Sequence, residues 1–222
     1  MLTVACVRTG TKYGPEYVDR LRAMVERNLK VPHRFVCLTD QRDLPQGVER
    51  FDVSGFKLPG WWSKMLLFDP DVRGDDTGGL IYFDLDTVIV GDITPLAKIE
   101  SDFAICANFT RANNVKTWPC RYGSCVMTFA PGFGGDVFEA FWWNQASLMR
   151  SAGNKGDQYV IEKLIPKATI LQMVLPPGFF LHWRQFGEHP SKPPEGCAVA
   201  VYAGGRNPKT IGPAWARTAW RV

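Results

Sequence analysis

Leu80-Ile81-Tyr82-Phe83-Asp84-Leu85-Asp86 is the stretch on which the fold turns. Four consecutive apolar residues suit a strand buried on both faces, because strand side chains alternate and an unbroken apolar run leaves neither face for water. Strands of this kind occupy the centre of α/β sheets. Two carboxylates follow at once. In an extended segment residues i and i+2 share a face, so Asp84 and Asp86 are expected to converge on one point at the carboxyl end of the strand. Adjacent like charges held away from water repel each other and lose hydration. A hard cation, Mn²⁺ or Mg²⁺, offsets both costs and leaves coordination positions open for phosphate oxygens. The competing reading makes one Asp a turn cap and the other a solvated side chain.

The residues before this strand have the order strand, loop, helix, strand. Val4 to Val7 reads as a first strand, followed by the loop Arg8 to Gly14. Pro15 fits the first turn of a helix in which Val18, Leu21, Val25 and Leu29 share a face. Phe35 to Leu38 reads as a second strand stopping at Thr39-Asp40, and Arg50 to Val53 as a third. Trp61 to Phe68 is expected to be a short helix capped by Ser63, which puts Lys64 in its first turn beside two indoles.

Downstream, Ala104 to Ala107 and Cys125 to Phe129 read as strands joined by the loop Asn108 to Trp118. Phe138, Phe141, Trp142, Gln145 and Met149 have helical spacing, and Gly156-Asp157-Gln158 opens another helix that ends before Pro166. From about residue 176 the chain becomes irregular and Pro-rich, with one strand over Ala198 to Tyr202 and a Gly-rich loop from Ala203 to Lys209. The alternation predicts an α/β fold, a Rossmann-like three-layer sandwich with a mostly parallel central sheet and ligands at the carboxyl ends of its strands.

Composition narrows the functional classes. With 222 residues, 45% of them hydrophobic and 22% charged, the chain is expected to form one globular domain over 1–222. A formal charge of +4 suits a phosphate-bearing ligand, while no Lys/Arg tract is dense enough for a nucleic-acid footprint. The start is too short and too quickly polar for a signal peptide, and no run is long enough for a transmembrane segment. The six cysteines lack C-x-x-C knuckles and read as reduced core thiols, so a cytoplasmic protein is expected.

These residues, taken together, resemble a glycosyltransferase of the GT-A fold, in the glycogenin-like and lipopolysaccharide galactosyltransferase-like group called family 8. Asp84-Leu85-Asp86 is similar to that group's Asp-x-Asp, which binds Mn²⁺ and the diphosphate of a nucleotide sugar. The resemblance implies that Thr9, Tyr13 and Asp40 lie near base and ribose, and that Lys64 approaches the donor sugar and diphosphate. It implies that Ser124, within Tyr122-Gly123-Ser124-Cys125-Val126-Met127, lines the donor-sugar pocket, and that Asp157-Gln158 stand near the reacting sugar. Gly204, Arg206 and Lys209 would form a positive Gly-rich rim around the leaving nucleotide.

The resemblance departs at one point. Such enzymes place a metal-binding His in a late His-Phe-x-Gly or Phe-His-Gly segment, where this chain has Val201-Tyr202-Ala203-Gly204. Two carboxylates with diphosphate and water, or His182 or His189 from the tail, would then complete the metal site. The implied function is transfer of a hexose, from UDP as the family's usual carrier, to a glycan, lipid-linked or small-molecule hydroxyl, with retention of configuration. Two other readings stay open: a phosphatase resembling the haloacid dehalogenase group, with Asp84 as nucleophile and Asp86 as acid/base, and a sugar-nucleotide or carbohydrate-binding protein without turnover.

Overall fold

The computed structural model describes residues 1–73, 77–109, 120–185, 191–202, 208, 210 and 212–222. A seven-stranded sheet has the order β3-β2-β1-β4-β7-β6-β8, built from β1 (Leu2–Arg8), β2 (His33–Thr39), β3 (Glu49–Asp52), β4 (Leu80–Phe83), β6 (Phe103–Ala107), β7 (Tyr122–Phe129) and β8 (Thr169–Ile170). β5 (Val88–Ile89), β9 (Phe180–His182) and β10 (Val199–Val201) form a second sheet, ordered β5-β10-β9. In the large sheet β7 alone runs against its neighbours β4 and β6, and the other pairings are parallel.

Strand alternation sends the apolar side chains of this sheet into two separate cores, which makes the architecture three-layered. Val4 and Cys6 of β1, Phe35 and Cys37 of β2, and Ile81 and Phe83 of β4 meet Val18, Leu21, Met24 and Val25 of the Pro15–Asn28 helix, Trp215 and Trp220. On the opposite face Ala5, Val36, Leu38, Leu80 and Tyr82 meet Met65 to Phe68, Phe141 of the Gly135–Ala152 helix, and Val160 and Ile161 of the Asp157–Leu164 helix. All four residues of β4 are buried, and its neighbours are β1 and β7, so the central placement expected from its unbroken apolar run holds.

Two local expectations are corrected. Gly60–Phe68 is a 3₁₀ helix that starts after Pro59, and Ser63 lies inside it with its hydroxyl donating to the Leu58 carbonyl at 3.3 Å, so Ser63 does not cap. Asp84-Leu85-Asp86 is not extended: β4 ends at Phe83, and the Thr87 amide closes a turn on the Asp84 carbonyl at 3.0 Å. The tail read as irregular also supplies β9, which pairs in parallel with β10.

Among the described residues no helix is long and apolar enough to cross a membrane, and all six cysteines are unbridged and buried.

Candidate active site

The carboxyl ends of β1, β2 and β4 open on one edge of the sheet, and the polar residues singled out in the sequence gather there. Lys64 is 8% exposed, and its Nζ lies 2.7 Å from Asp84 Oδ1 and 3.8 Å from Asp157 Oδ2. It donates to the Ser124 hydroxyl at 3.3 Å and the Ser124 carbonyl at 3.4 Å. Burial by itself would strip the charge from a lysine; here Asp157 and then Asp84 outweigh it, and the ammonium is held above its ordinary range.

Ser124 reaches this position through an irregularity in β7. Cys106 of β6 pairs with Gly123 while its neighbour Ile105 pairs with Met127, so Ser124 to Val126 have no opposite number on β6. Such insertions re-aim side chains at the rim of a sheet. On the other side Val126 pairs with Phe83, and the Asp84 amide donates to the Cys125 carbonyl at 2.8 Å, which ties the acidic turn to the same distortion.

Asp84 and Asp86 use different partners. Tyr82 donates its hydroxyl to Asp84 Oδ1 at 2.6 Å, the same oxygen that Lys64 meets, and Oδ2 carries neither contact. Asp86 Oδ2 accepts the Tyr13 hydroxyl at 2.9 Å. Leu85 is turned into the core at 2% exposure, so only its backbone can face a ligand. The Asp86 carboxyl is pushed up to about 7, by burial first and by the charge of Asp84 second. The charge of Asp84 is thus felt at Asp86 although the segment between them is a turn.

Asp157 is the first residue of its helix, and Gly156 before it has no side chain with which to cap. Asp157 is 5% exposed, and its Oδ2 lacks a hydrogen bond. Burial raises its pKa, with Lys64 and Ser124 opposing the shift. Gln158 beside it is half-buried.

The first loop is tied down from several directions. Thr9 donates to the Gly60 carbonyl at 3.1 Å, and the Gly10 amide donates to both Asp40 oxygens at 3.1 Å. Arg8, buried at 5% exposure, donates to the Tyr13 carbonyl at 2.9 Å and grips Asp43 through both Nη atoms at 2.9 and 3.1 Å. Neither Arg8 nor Tyr82 was among the expected site residues. Tyr82 was detectable as the i−2 neighbour of Asp84 on a strand, whereas the partner of Arg8 lies 35 positions away.

His182 is buried in β9, its ring stacked on Phe109 at 5.6 Å, and its Nδ1 accepts the Arg184 amide at 3.4 Å. It joins no metal-sized cluster of His, Cys, Asp or Glu, and there is none among the described residues. His189, Gly204, Arg206 and Lys209, with most of the Asn108 to Trp118 loop, lie outside the described residues.

Solved structures with the same fold carry glycosyltransferase names. An active-site mutant of LgtC matches with a TM-score of 0.68 at 12% identity, over 98% of this chain and 93% of that one. The galactosyltransferase LgtC in complex with donor and acceptor sugar analogues matches at 0.63 and 12% identity, over 93% of this chain and 88% of that one. The glycosyltransferase GlyE of Streptococcus pneumoniae TIGR4 matches at 0.67 and 13% identity, over 99% of this chain and 60% of that one. No family model matches the sequence, and no curated protein matches it. The fold is thus the expected α/β GT-A type.

Proposed function

We propose that this chain is a glycosyltransferase that moves a hexose from a nucleotide diphosphate sugar, with UDP as the expected carrier, to a hydroxyl acceptor. The observation that carries the proposal is the convergence of Lys64, Asp84 and Asp157 beside Asp86, in a fold otherwise seen in glycosyltransferases. Two ammoniums, Lys64 between Asp84 and Asp157 and Lys12 on the side of Asp86, facing three carboxylates still leave an acidic excess, and that excess suits a divalent cation.

The donor set fits such an ion. Asp84 and Asp86 offer carboxylate oxygens, the ligands that Mn²⁺ and Mg²⁺ prefer, and a cation would offset the burial and the Asp84 charge that together raise the pKa of Asp86. When bound, the cation would supply charge neutralisation at the departing diphosphate. The remaining steps belong to side chains. Lys64 would donate to a phosphate oxygen while keeping its contact with Asp84. Asp157, buried and short of one hydrogen bond, would face positive charge as it develops on the sugar. Tyr13 and Thr9 would border the nucleotide, and Ser124 would orient Lys64 and the donor sugar. Retention by same-face attack, with the leaving phosphate taking the acceptor's proton, requires no covalent nucleophile.

A screen of nucleotide sugars for Mn²⁺-dependent binding and nucleotide release tests this reading. Binding of one UDP-sugar that is lost on Asp86→Ala supports it. Phosphate release from phosphomonoesters in place of nucleotide release would assign the acidic pair to a phosphatase instead.

A further inference from the structure

Two neighbouring indoles in the Gly60–Phe68 helix have opposite fates. Trp62 is 6% exposed and stacks on Phe141 with ring centroids 6.1 Å apart, which accounts for it as core. Trp61 is 53% exposed, one of the few large apolar side chains left open to water. Its position is nonetheless fixed at both ends. Next to it, the Gly60 carbonyl accepts the Thr9 hydroxyl at 3.1 Å. On the other side the indole lies against Gly156: a Cβ built there would stand 3.4 Å from Trp61 Nε1 and 3.8 Å from two ring carbons. Gly156 directly precedes Asp157, whose carboxylate faces Lys64. A flat apolar surface with a hydrogen-bond donor at its edge is therefore held at the mouth of the site, beside the residue assigned to the reacting sugar.

We propose that Trp61 is the platform for the acceptor, and that the acceptor is a saccharide whose apolar ring face lies on the indole. This inference rests on the glycosyltransferase reading and adds the acceptor's chemical class. The diphosphate and donor sugar belong to the buried interior around Lys64, Asp84 and Ser124. An acceptor must approach from the solvent side of Asp157, where the open face of Trp61 is. A pyranose presents axial C–H groups on one face and hydroxyls around its rim, matching an aromatic face bordered by polar groups. Gly156 has no side chain to separate the indole from the start of the Asp157–Leu164 helix, so a sugar on Trp61 stays close to Asp157. The Thr9 hydroxyl on the Gly60 carbonyl brings the nucleotide loop next to this platform as well, so a nucleobase is the competing occupant that a titration with UDP alone must distinguish.

The test follows indole N–H signals of ¹⁵N-labelled protein, with the Trp61 resonance assigned by its loss in Trp61→Phe. Lactose, maltose, cellobiose and methyl α-mannoside are titrated in turn, with UDP and MgCl₂ present, after a titration of UDP alone. The expected result is a saturable shift of the Trp61 signal by at least one saccharide, with affinity for that saccharide falling at least fivefold in Trp61→Ala and less than twofold in Trp61→Phe. A Trp61 signal unmoved by all four, or moved fully by UDP alone, overturns the proposal. The UDP titration reads the underlying function separately. Saccharide shifts without any UDP binding keep the platform and remove the nucleotide-sugar reading, whereas UDP binding with a silent Trp61 does the reverse.

Discussion

Asp157 Oδ2 stands buried, 3.8 Å from Lys64 Nζ, without a hydrogen bond of its own. A carboxylate in the first turn of a helix is normally explained by its place at the helix N-terminus. Its orientation toward Lys64 is instead compatible with holding charge at the reacting centre.

Asp157→Asn should separate the two explanations. The amide preserves shape and removes a charge that burial already disfavours, so the melting temperature should stay constant or rise. Donor affinity should remain within a few-fold. Sugar transfer should fall by about 100-fold or more, since about 1.4 kcal/mol of barrier is tenfold in rate. Thermal unfolding, donor titration and single-turnover transfer measure the three quantities. Transfer near the wild-type rate would reduce Asp157 to a structural partner of Lys64.

Lys64→Met should weaken binding of the diphosphate donor by at least about tenfold without changing the ranking of UDP, GDP and CDP, because the side chain contacts no base-side residue. It should also destabilise the protein at neutral pH by about 2–3 kcal/mol. That is less than the roughly 3–5 kcal/mol for breaking a fully buried pair, as Asp84 keeps 26% of its surface in water. The deficit should shrink in acid, where Asp157, whose pKa burial already raises, can take up a proton. A change in base ranking at constant affinity would place Lys64 elsewhere in the site.

The elements that were legible in the sequence are those whose pattern is local. The Pro15–Asn28 helix, β1, β2 and β4 declare themselves within a few residues, through a proline start and an apolar period. Asp84 and Asp86 were found as candidates because a buried strand ends on them, whereas Lys64 and Asp157 were implied by the family resemblance. What escaped depends on distant partners. β5 has two residues, and its pairing with Val199 and Ala200 is set by tertiary packing. The β7 irregularity that aims Ser124 shows only in its register with β6. The turn at Asp84 replaced an extended segment because the Asp84 carbonyl is satisfied by Thr87 instead of a neighbouring strand.

Gly156 offers a backbone test of the same site. Its φ of 77° and ψ of −166° lie in a region nearly confined to glycine, and occupying it with another residue costs about 1–3 kcal/mol. Gly156→Ala should lose stability of that order in denaturant titration and should also reduce sugar transfer, since the strained backbone carries Asp157 and the new Cβ comes into van der Waals contact with Trp61 at 3.4 Å. Gly153→Ala is the comparison: φ is 52° there, but a Cβ meets nothing within 4 Å. It should lose stability with a smaller effect on transfer. Equal effects on transfer from both would mean that contact with Trp61 is irrelevant.

Asp86 makes the acidic pair testable without any substrate. Its carboxyl titrates near 7 in the folded chain against an ordinary value of 3.8, raised by burial first and then by Asp84. Between those values the folded state holds a proton that the unfolded state has released, so this group's contribution to stability is full below about 4 and declines as pH rises toward 7. His182 acts in the opposite sense over part of that range. Burial lowers it from 6.5 to about 4, so its contribution is present above 6.5 and fades as pH falls. Comparison with Asp86→Asn cancels the histidine, because both proteins contain it. In EDTA the variant should therefore gain on the wild type as pH rises from 4 to 7 and melt higher at pH 8, while the Asn carbonyl can still accept the Tyr13 hydroxyl. Adding Mn²⁺ at pH 8 should raise the melting temperature of the wild type and leave the variant nearly unchanged. Parallel pH profiles in EDTA would show that Asp86 holds no proton at neutral pH. Equal stabilisation of both proteins by Mn²⁺ would remove Asp86 from the metal-binding pair, leaving Asp84 without the second carboxylate that the proposed mechanism needs.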